Sequence, residues 1–506
     1  MFDQSHFVSL EDYLIGSGGE GVGGGDVESL HKALEAGYLM GIGGERTGGS
    51  ALRVESLQDT LVEVSWANQN ILKLWTEIGK HAAYSTVEEY TRRNAYGQSN
   101  AVSGFFLEGG LPDAQNQSLE RRATLIRFMG TTRSVTHPAT LVRMMPGVDA
   151  RTIEKQAGTR WLLEQLERAL FFANSSVIAT QFDGYFAQLE AAIDYPTGIA
   201  QGKIIDKRGI KLTEEDLEDA ARVVHENFGN ATRIFCHTST LADFSKLSLE
   251  RQRYIRLQNA APAPTGFVGA PLKGVSTNYG DVEFRPDIFF VEPSAGPTTA
   301  QGVATLVLPV KADDFGVTAV AGADALSLFG ASDDGDYMYA VSSVNMNGES
   351  ACERLSNGTD TYEVVAVATG DKVTLTIVAA KGKWDASTLP DGIDGFRIYR
   401  SAVGALGTTT AASCGLIASI PRAAGTGDTT FVDYNRYLPF TKKALVLDMD
   451  PMQVSVWRQL LPLMSLDLAV VSASFRFMVL LYGALQVTNV NKMVRVINIG
   501  VNNPPE

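Results

Sequence analysis

The chain has 506 residues, 45% of them hydrophobic and 20% charged, and a formal net charge of −14. That length exceeds one ordinary core, so about two to four domains are expected, and the apolar content is ample to pack them. The acidic balance excludes a dedicated DNA binder, which needs clustered Lys and Arg to neutralise phosphates. Three scattered cysteines, Cys236, Cys352 and Cys414, are odd in number and form neither a disulfide framework nor a zinc pattern, so reduced, buried thiols are expected.

The first residues, MFDQSHFVSLEDYLIG, lack the basic and apolar regions of a signal peptide. No segment is apolar over the ~20 residues that a membrane helix needs. Residues 16–49 hold thirteen glycines around one short predicted helix, Asp26 to Ala36. Such a tract costs too much entropy to form a core and reads as an arm. From Ala82 the pattern turns to β. Tyr84–Arg93 and Arg121–Met129 read as the two arms of a long hairpin, joined by a Gly/Asn/Gln-rich stretch that carries Phe105, Phe106 and Leu107. Charges on adjacent or alternate positions forbid burial of either arm on both faces, so the hairpin must lie on something else.

Asp149 to Asn174 is the longest helical signal, with an apolar stripe at Leu162, Leu166, Ala169 and Ala173. Glu154, Lys155, Arg160, Glu164, Glu167 and Arg168 fill its polar side. Thr213, with Asp216 three residues on, opens a second helix whose stripe is Leu217, Ala221, Val224 and Phe228 and which Gly229 ends. Arg233–His237 reads as a strand and Ser239 as the start of a third helix. From Pro293 to about Phe440 no helical period survives, and turns recur as in a β-sandwich. After Phe440, Trp457–Pro462 reads as a turn. Phe475–Leu485 then reads as a strand buried on both faces, in which Gly483 admits a bend or a close neighbour. Val494–Val501 closes the chain as a last strand.

Pro451-Met-Gln-Val454, Leu460-Leu-Pro-Leu-Met464 and Leu480-Leu-Tyr-Gly-Ala-Leu485 together resemble the end of the major capsid proteins of large contractile-tailed phages, the Twort-like and SPO-like group. The resemblance recurs at Ala51–Leu57, Ser85–Tyr90 and Leu212–Leu217, and spans roughly residues 50–290 and 440–501. It implies an α+β chain with the Hong Kong 97-like capsid fold. The implied parts are a Gly-rich arm (1–55), a first core part (56–294) and a returning core part (441–506). The first part holds an extended hairpin, or E-loop, at about 82–130 and a spine helix at about 149–174. In relatives the arm can be a propeptide. Within 295–440, three pieces resemble a fibronectin type III or immunoglobulin-like domain: Tyr337–Ser350 as strand F, Gly395–Ser401 as strand C and Phe431–Tyr434 as the end of strand E. Their order implies a circularly permuted insertion.

The function so implied is geometric: hexamers and pentamers of one chain close an icosahedral shell around double-stranded DNA, without sequence-specific binding and without a membrane. The acidic balance suits a container wall that must not hold its DNA. Portal, scaffold and cementing proteins are the other implied partners, and the virion, assembled in the host cytoplasm, is the implied location. Glu88, Glu89, Arg92, Arg93, Glu120, Arg121 and Arg122 are expected to set register with neighbouring subunits, and Phe105, Phe106 and Leu107 to dock on one. Exposed ion pairs are worth only ~0–1 kcal/mol each, so stability would come from repetition.

No catalytic or cofactor site is expected. His6, His31, His81, His137, His225 and His237 lack metal spacing. The run Gly16–Gly25 lacks the strand and the Lys-Ser/Thr of a phosphate loop, and Asp333–Asp336 lacks the ligand series of a calcium loop. Glu88 and Glu89 are strand neighbours that point opposite ways, whereas acid–base work needs convergence. The readings from other classes are a tail or baseplate protein and a secreted carbohydrate-active or adhesive protein with a fibronectin-like module.

Overall fold

The computed structural model describes residues 71–95, 105–111, 116–141, 149–191, 203–247, 272–302, 316–355, 364–378, 392–450, 454–469 and 472–500, apart from 294, 406, 407 and 426, together with positions 97, 307–309, 382, 385 and 387. The expected arm at 1–55 and its short helix lie outside these residues.

The longest helix, Ala150–Phe172, starts where Asp149 accepts the N–H of Arg151 at 3.3 Å. It packs on a four-stranded sheet whose order is Lys80–Ala82, Ser455–Asp467, Ser474–Val487, Arg127–Thr136. Leu162, Leu166, Leu170 and Phe171 meet Phe477, Val479, Leu481 and Leu485 there in one core. The stripe is wider than the expected one: Leu162, Leu166 and Ala173 are buried and Ala169 packs against the same core, Leu170 and Phe171 join them, and Glu167, assigned above to the polar side, is fully buried. The reason is tertiary: Glu167 caps another helix, Leu74–Glu77, by accepting the N–H groups of Lys73, Leu74 and Trp75.

Ser455–Asp467 is one strand with irregular register near Gln459, Leu461 and Met464, not a turn at Trp457–Pro462. Pro462 is exposed at that irregularity, where it removes no ladder bond that matters. Trp457 is fully buried and lies directly against Gly483 of the neighbouring strand, so the glycine is there for close approach. Ser474–Val487 is buried on both faces only from Gly483 onward; before that it alternates, with the odd positions toward the helix.

A six-stranded sheet runs in the order Ile204–Asp206, Met493–Ile499, Lys442–Leu447, Arg233–Cys236, Gly280–Pro286, Gly274–Thr277. One face shares the first core through Phe235, Leu445, Leu447 and Met493. The other, through Ile234, Ala444, Val446, Val494 and Val496, packs on helices Glu214–Glu226 and Thr238–Leu247. Met493–Ile499 alternates in sequence yet is buried on both faces, so that even Arg495 and Asn498 lie inside. The helix at 214 opens with the expected reciprocal cap, Thr213 N–H and Oγ1 donating to Asp216 Oδ2 at 2.8 and 2.7 Å. Phe228 was expected on its buried stripe. Instead the helix ends at Glu226, and Phe228 stands 92% exposed with φ +61°.

Between Glu292 and Lys443 the described residues form strands, turns and the short 3-10 helices Ala331–Asp333 and Ala411–Ser413. Val317–Ala323, Asp371–Ile377 and Thr429–Asp433 make a three-stranded antiparallel sheet. A second sheet runs Cys414–Pro421, Gly395–Ser401, Tyr339–Asn345, Gly348–Glu349, Gln301–Gly302. Val373, Leu375 and Ile377 of the first share a core with Tyr339, Val341, Phe396 and Ile398 of the second. A buried pair crosses between the sheets: Arg400 meets Asp433 at 2.5 Å, and Tyr339 Oη donates to the same carboxylate at 2.9 Å. Arg208 fastens this region to the six-stranded sheet's edge, donating to the carbonyls of Asn435 (2.5 Å) and Leu328 (2.8 Å).

Candidate functional site

The hairpin is present, with strands Val87–Ala95 and Ser118–Leu125 paired antiparallel. Its second arm is shorter than expected. Buried Ile126 ends it, and Arg127–Met129 belong to the four-stranded sheet. The pleat gives the hairpin two faces. Glu88, Tyr90 and Arg92 oppose Thr124, Arg122 and Glu120 on one; Val87, Glu89, Thr91 and Arg93 oppose Leu125, Ala123, Arg121 and Leu119 on the other.

The first face lies on the end of Ser474–Val487. Tyr90 Oη donates to the carbonyl of Val487 at 3.2 Å and Arg92 to that of Thr488 at 3.4 Å, while Arg458 stands 3.8 Å from Glu88. Burial raises the Tyr90 phenol above its ordinary value. The charges pair within the hairpin: Arg92 with Glu120 at 2.7 Å, Arg122 with Glu120 at 2.8 Å, and Arg121 with Glu89 across the second face. These side chains thus set the hairpin's own register, and the second face, with Val87, Leu119 and Leu125 each at least 42% exposed, is the one turned to solvent.

In the connection, Gly110 N–H closes a turn onto the carbonyl of Leu107 at 2.8 Å, with Gly109 at φ +78°. The turn presents Phe105 (93% exposed), Phe106 (58%), Leu107 (85%) and Leu111 (91%). A cluster of large apolar side chains this exposed is a mark of an interaction surface. Sequence reasoning found the first three. It missed Leu111, an isolated apolar residue, and Phe228, which a helical period assigned to a core. The signals available for them were the proline after Leu111 and the glycine after Phe228, each a mark of a chain end rather than a stripe.

His225 lies tilted against Tyr279, His137 lies by Phe475, and His237 Nδ1 is 2.7 Å from Ser239 Oγ. Among the described residues no three His, Cys, Asp or Glu side chains converge on a position that could hold a metal ion. No helix there is long and apolar enough to cross a membrane.

The SU10 major capsid protein family model matches residues 41–313, more than half of the chain. The major capsid protein of Staphylococcus phage K is 25% identical over 457 residues, covering 89% of this chain and 90% of its own. A putative major capsid protein of Enterococcus phage phiEF24C is 26% identical over 456 residues, with the same coverage. Among solved structures, the capsid of cyanophage P-SCSP1u is similar at 8% identity and a TM-score of 0.42, covering 90% of this chain and 96% of that one. The holo-SrpI encapsulin complex from Synechococcus elongatus PCC 7942 is similar at 10% and 0.38, with coverage of 90% and 96%. A family match across the hairpin, the long helix and four strands of the six-stranded sheet leaves one conclusion: the chain belongs to the SU10 major capsid protein family and is a major capsid protein of a tailed phage.

Proposed function

We propose that this capsid protein builds an icosahedral shell of hexamers and pentamers in the Hong Kong 97-like manner, enclosing double-stranded DNA. The observation that carries this reading is the exposed apolar turn at Phe105–Leu111, presented on a hairpin whose other face is anchored on its own subunit. Its occupant is a second copy of the chain, since four such side chains cost too much to leave in water and burying each would contribute about 1.5–3 kcal/mol. The long helix on the four-stranded sheet corresponds to the spine helix and P-domain of that fold; the helix–strand–helix over 213–247, whose order in the sequence also suggests the P-domain, is read with the six-stranded sheet it packs on as the A-domain. Arg93, Arg121 and Glu89 on the hairpin's outer face, and Phe228 on the A-domain, are the further contacts assigned to neighbours. Scaffold, portal and cementing proteins, and assembly in the host cytoplasm, follow from the same reading.

The span 295–440 is read as an inserted immunoglobulin-like sandwich. What supports this is pairing: Tyr339–Asn345 lies antiparallel to Gly395–Ser401, as strands F and C do, while Thr429–Asp433 sits in the facing sheet, as strand E does. The ends of the span meet, with Lys443 Nζ 2.6 Å from Glu292 Oε2. An insertion requires that proximity.

Electron microscopy of the purified, assembled protein tests the whole reading. Closed icosahedral particles with a hairpin lying over the neighbouring subunit are expected. Tubes or rings, or a turn at 105–111 that faces solvent in the closed particle, overturn it.

A further inference from the structure

The helix Leu74–Glu77 is one turn long and cannot hold its own place. Its last residue, Glu77, pairs with Arg233 at 3.0 Å and with Arg285, both on the six-stranded sheet. Its first N–H groups point at Glu167 of the long helix: Lys73 and Leu74 donate to Oε1 at 2.8 and 2.6 Å, and Trp75 to Oε2 at 3.0 Å. This single turn therefore ties the long helix to the six-stranded sheet.

Glu167 is fully buried, and so is a second carboxyl, Asp287, which faces it from just beyond the strand Gly280–Pro286. Asp287 Oδ1 accepts the N–H of Phe289 at 2.8 Å. Two buried carboxylates facing each other do not readily both stay ionised, and one proton between them removes the conflict. We propose that Glu167 and Asp287 form a proton-dependent latch, closed while they share a proton and loosened when it leaves, which sets how firmly Leu74–Glu77 joins the long helix to the six-stranded sheet.

The groups around the pair fit this role. Lys73 attracts Asp287 from the start of the short helix, and Lys80, beyond that helix, faces Glu167 with its own value lowered by burial. Tyr185 and Cys236 flank the two carboxyls, and burial raises both above their ordinary values, so neither contributes a charge near neutrality. Burial first, and Asp287 second, push Glu167 up to about 8 from its ordinary 4.5. A folded-state value above the unfolded one means that the folded chain holds a proton the opened chain would release. The stabilisation is therefore complete below about 4.5, declines as pH rises, and is exhausted above about 8.

Amide hydrogen exchange on the full chain tests the latch. In the wild type, opening of the peptide 72–77 should increase by about tenfold per pH unit between about pH 5 and about pH 8, beyond the ordinary hydroxide dependence shown by the helix at 214–226, and then level off. Glu167→Gln keeps one oxygen for the Lys73 and Leu74 N–H groups, gives up the Trp75 bond and offers Asp287 an amide donor; opening can become easier at every pH, but its excess pH dependence should vanish, and Asp287→Asn should behave likewise. A wild type with no excess over the control helix overturns the proposal, whether or not either variant folds. So does an excess that persists unchanged in a folded Glu167→Gln protein.

Discussion

Phe228 is costly to the isolated subunit in two ways. Its φ of +61° places a bulky side chain in the left-handed region, which costs about 1 kcal/mol or more, and 92% of the side chain faces water. Phe228→Gly should therefore raise the melting midpoint of unassembled subunits by the equivalent of about 1 kcal/mol, while lowering the yield of closed shells. Unchanged shell yield would remove Phe228 from the proposed contacts. Gly483 carries the opposite expectation. A Cβ there would run into the Trp457 ring and the Arg458 carbonyl, both on a paired strand that cannot move alone. Gly483→Val should destabilise the subunit by about 1–3 kcal/mol, read as an earlier urea midpoint with an unchanged slope. An unaltered midpoint would show that this strand pair yields easily.

At the scale of elements, the hairpin shows how a pair of strands can be read from the sequence while its side-chain pairing cannot. Alternating charges announce a hairpin that needs support, but they do not say which charge finds which partner. Glu89, Arg92, Glu120, Arg121 and Arg122 turn out to pair with one another: antiparallel register sets Arg92 opposite Glu120 and Glu89 diagonal to Arg121, and the pleat puts Arg122 on the same face as Glu120 two residues away. The exposed turn is the part proposed to meet a neighbour. Changing Phe105, Phe106 and Leu107 together to Ser should abolish or strongly slow shell assembly, followed by light scattering, while the subunit's melting midpoint stays within about 2 °C. A large fall in that midpoint would place these side chains in the subunit's own core. The long helix teaches the same lesson. Its extent followed from the 3.6-residue period and from Asp149 as cap. The burial of Glu167 did not follow, because a carboxylate inside a core is explained only by the N–H groups that arrive from Leu74–Glu77, far away in sequence.

At the scale of the whole molecule, the span between Glu292 and Lys443 has a core of its own and a few fastenings to the rest. Those fastenings include Arg208 to Asn435 and Leu328, Asn498 of the six-stranded sheet to the Leu438 N–H and the Arg436 carbonyl, Tyr437 Oη donating to Glu190 at 3.1 Å, and a small apolar contact of Val177 and Ile178 with Val344. Replacing residues 295–440 with a short Gly-Ser linker should leave the long helix and both capsid sheets folded, since Glu292 and Lys443 already stand side by side. A circular dichroism spectrum that keeps its helical signal, and a soluble monomer, are expected; a wholly insoluble product would mean that the span is part of the core rather than an insertion. The proposed arm, residues 1–50, should be cut by protease in free subunits and protected in shells. Equal cleavage in both would make it a passive tail.

What the sequence determined by itself was local and periodic: the extent of the long helix, the reciprocal cap at Thr213 and Asp216, the strand at Arg233, the hairpin with its apolar turn, and the change to β at Pro293. Each depends on propensity, spacing or capping within a few residues, which is information the chain carries in order. The tertiary structure decided what depends on residues that meet from afar. Trp457 is a strand residue rather than a turn residue because Gly483 makes room for its ring on the next strand. Phe228 lies outside because the helix stops two residues before it. Glu167 lies inside because another helix needs its N–H groups satisfied and Asp287 can share a proton with it. Burial and pairing are properties of neighbours in space, and neither the period of a helix nor the alternation of a strand specifies who those neighbours are.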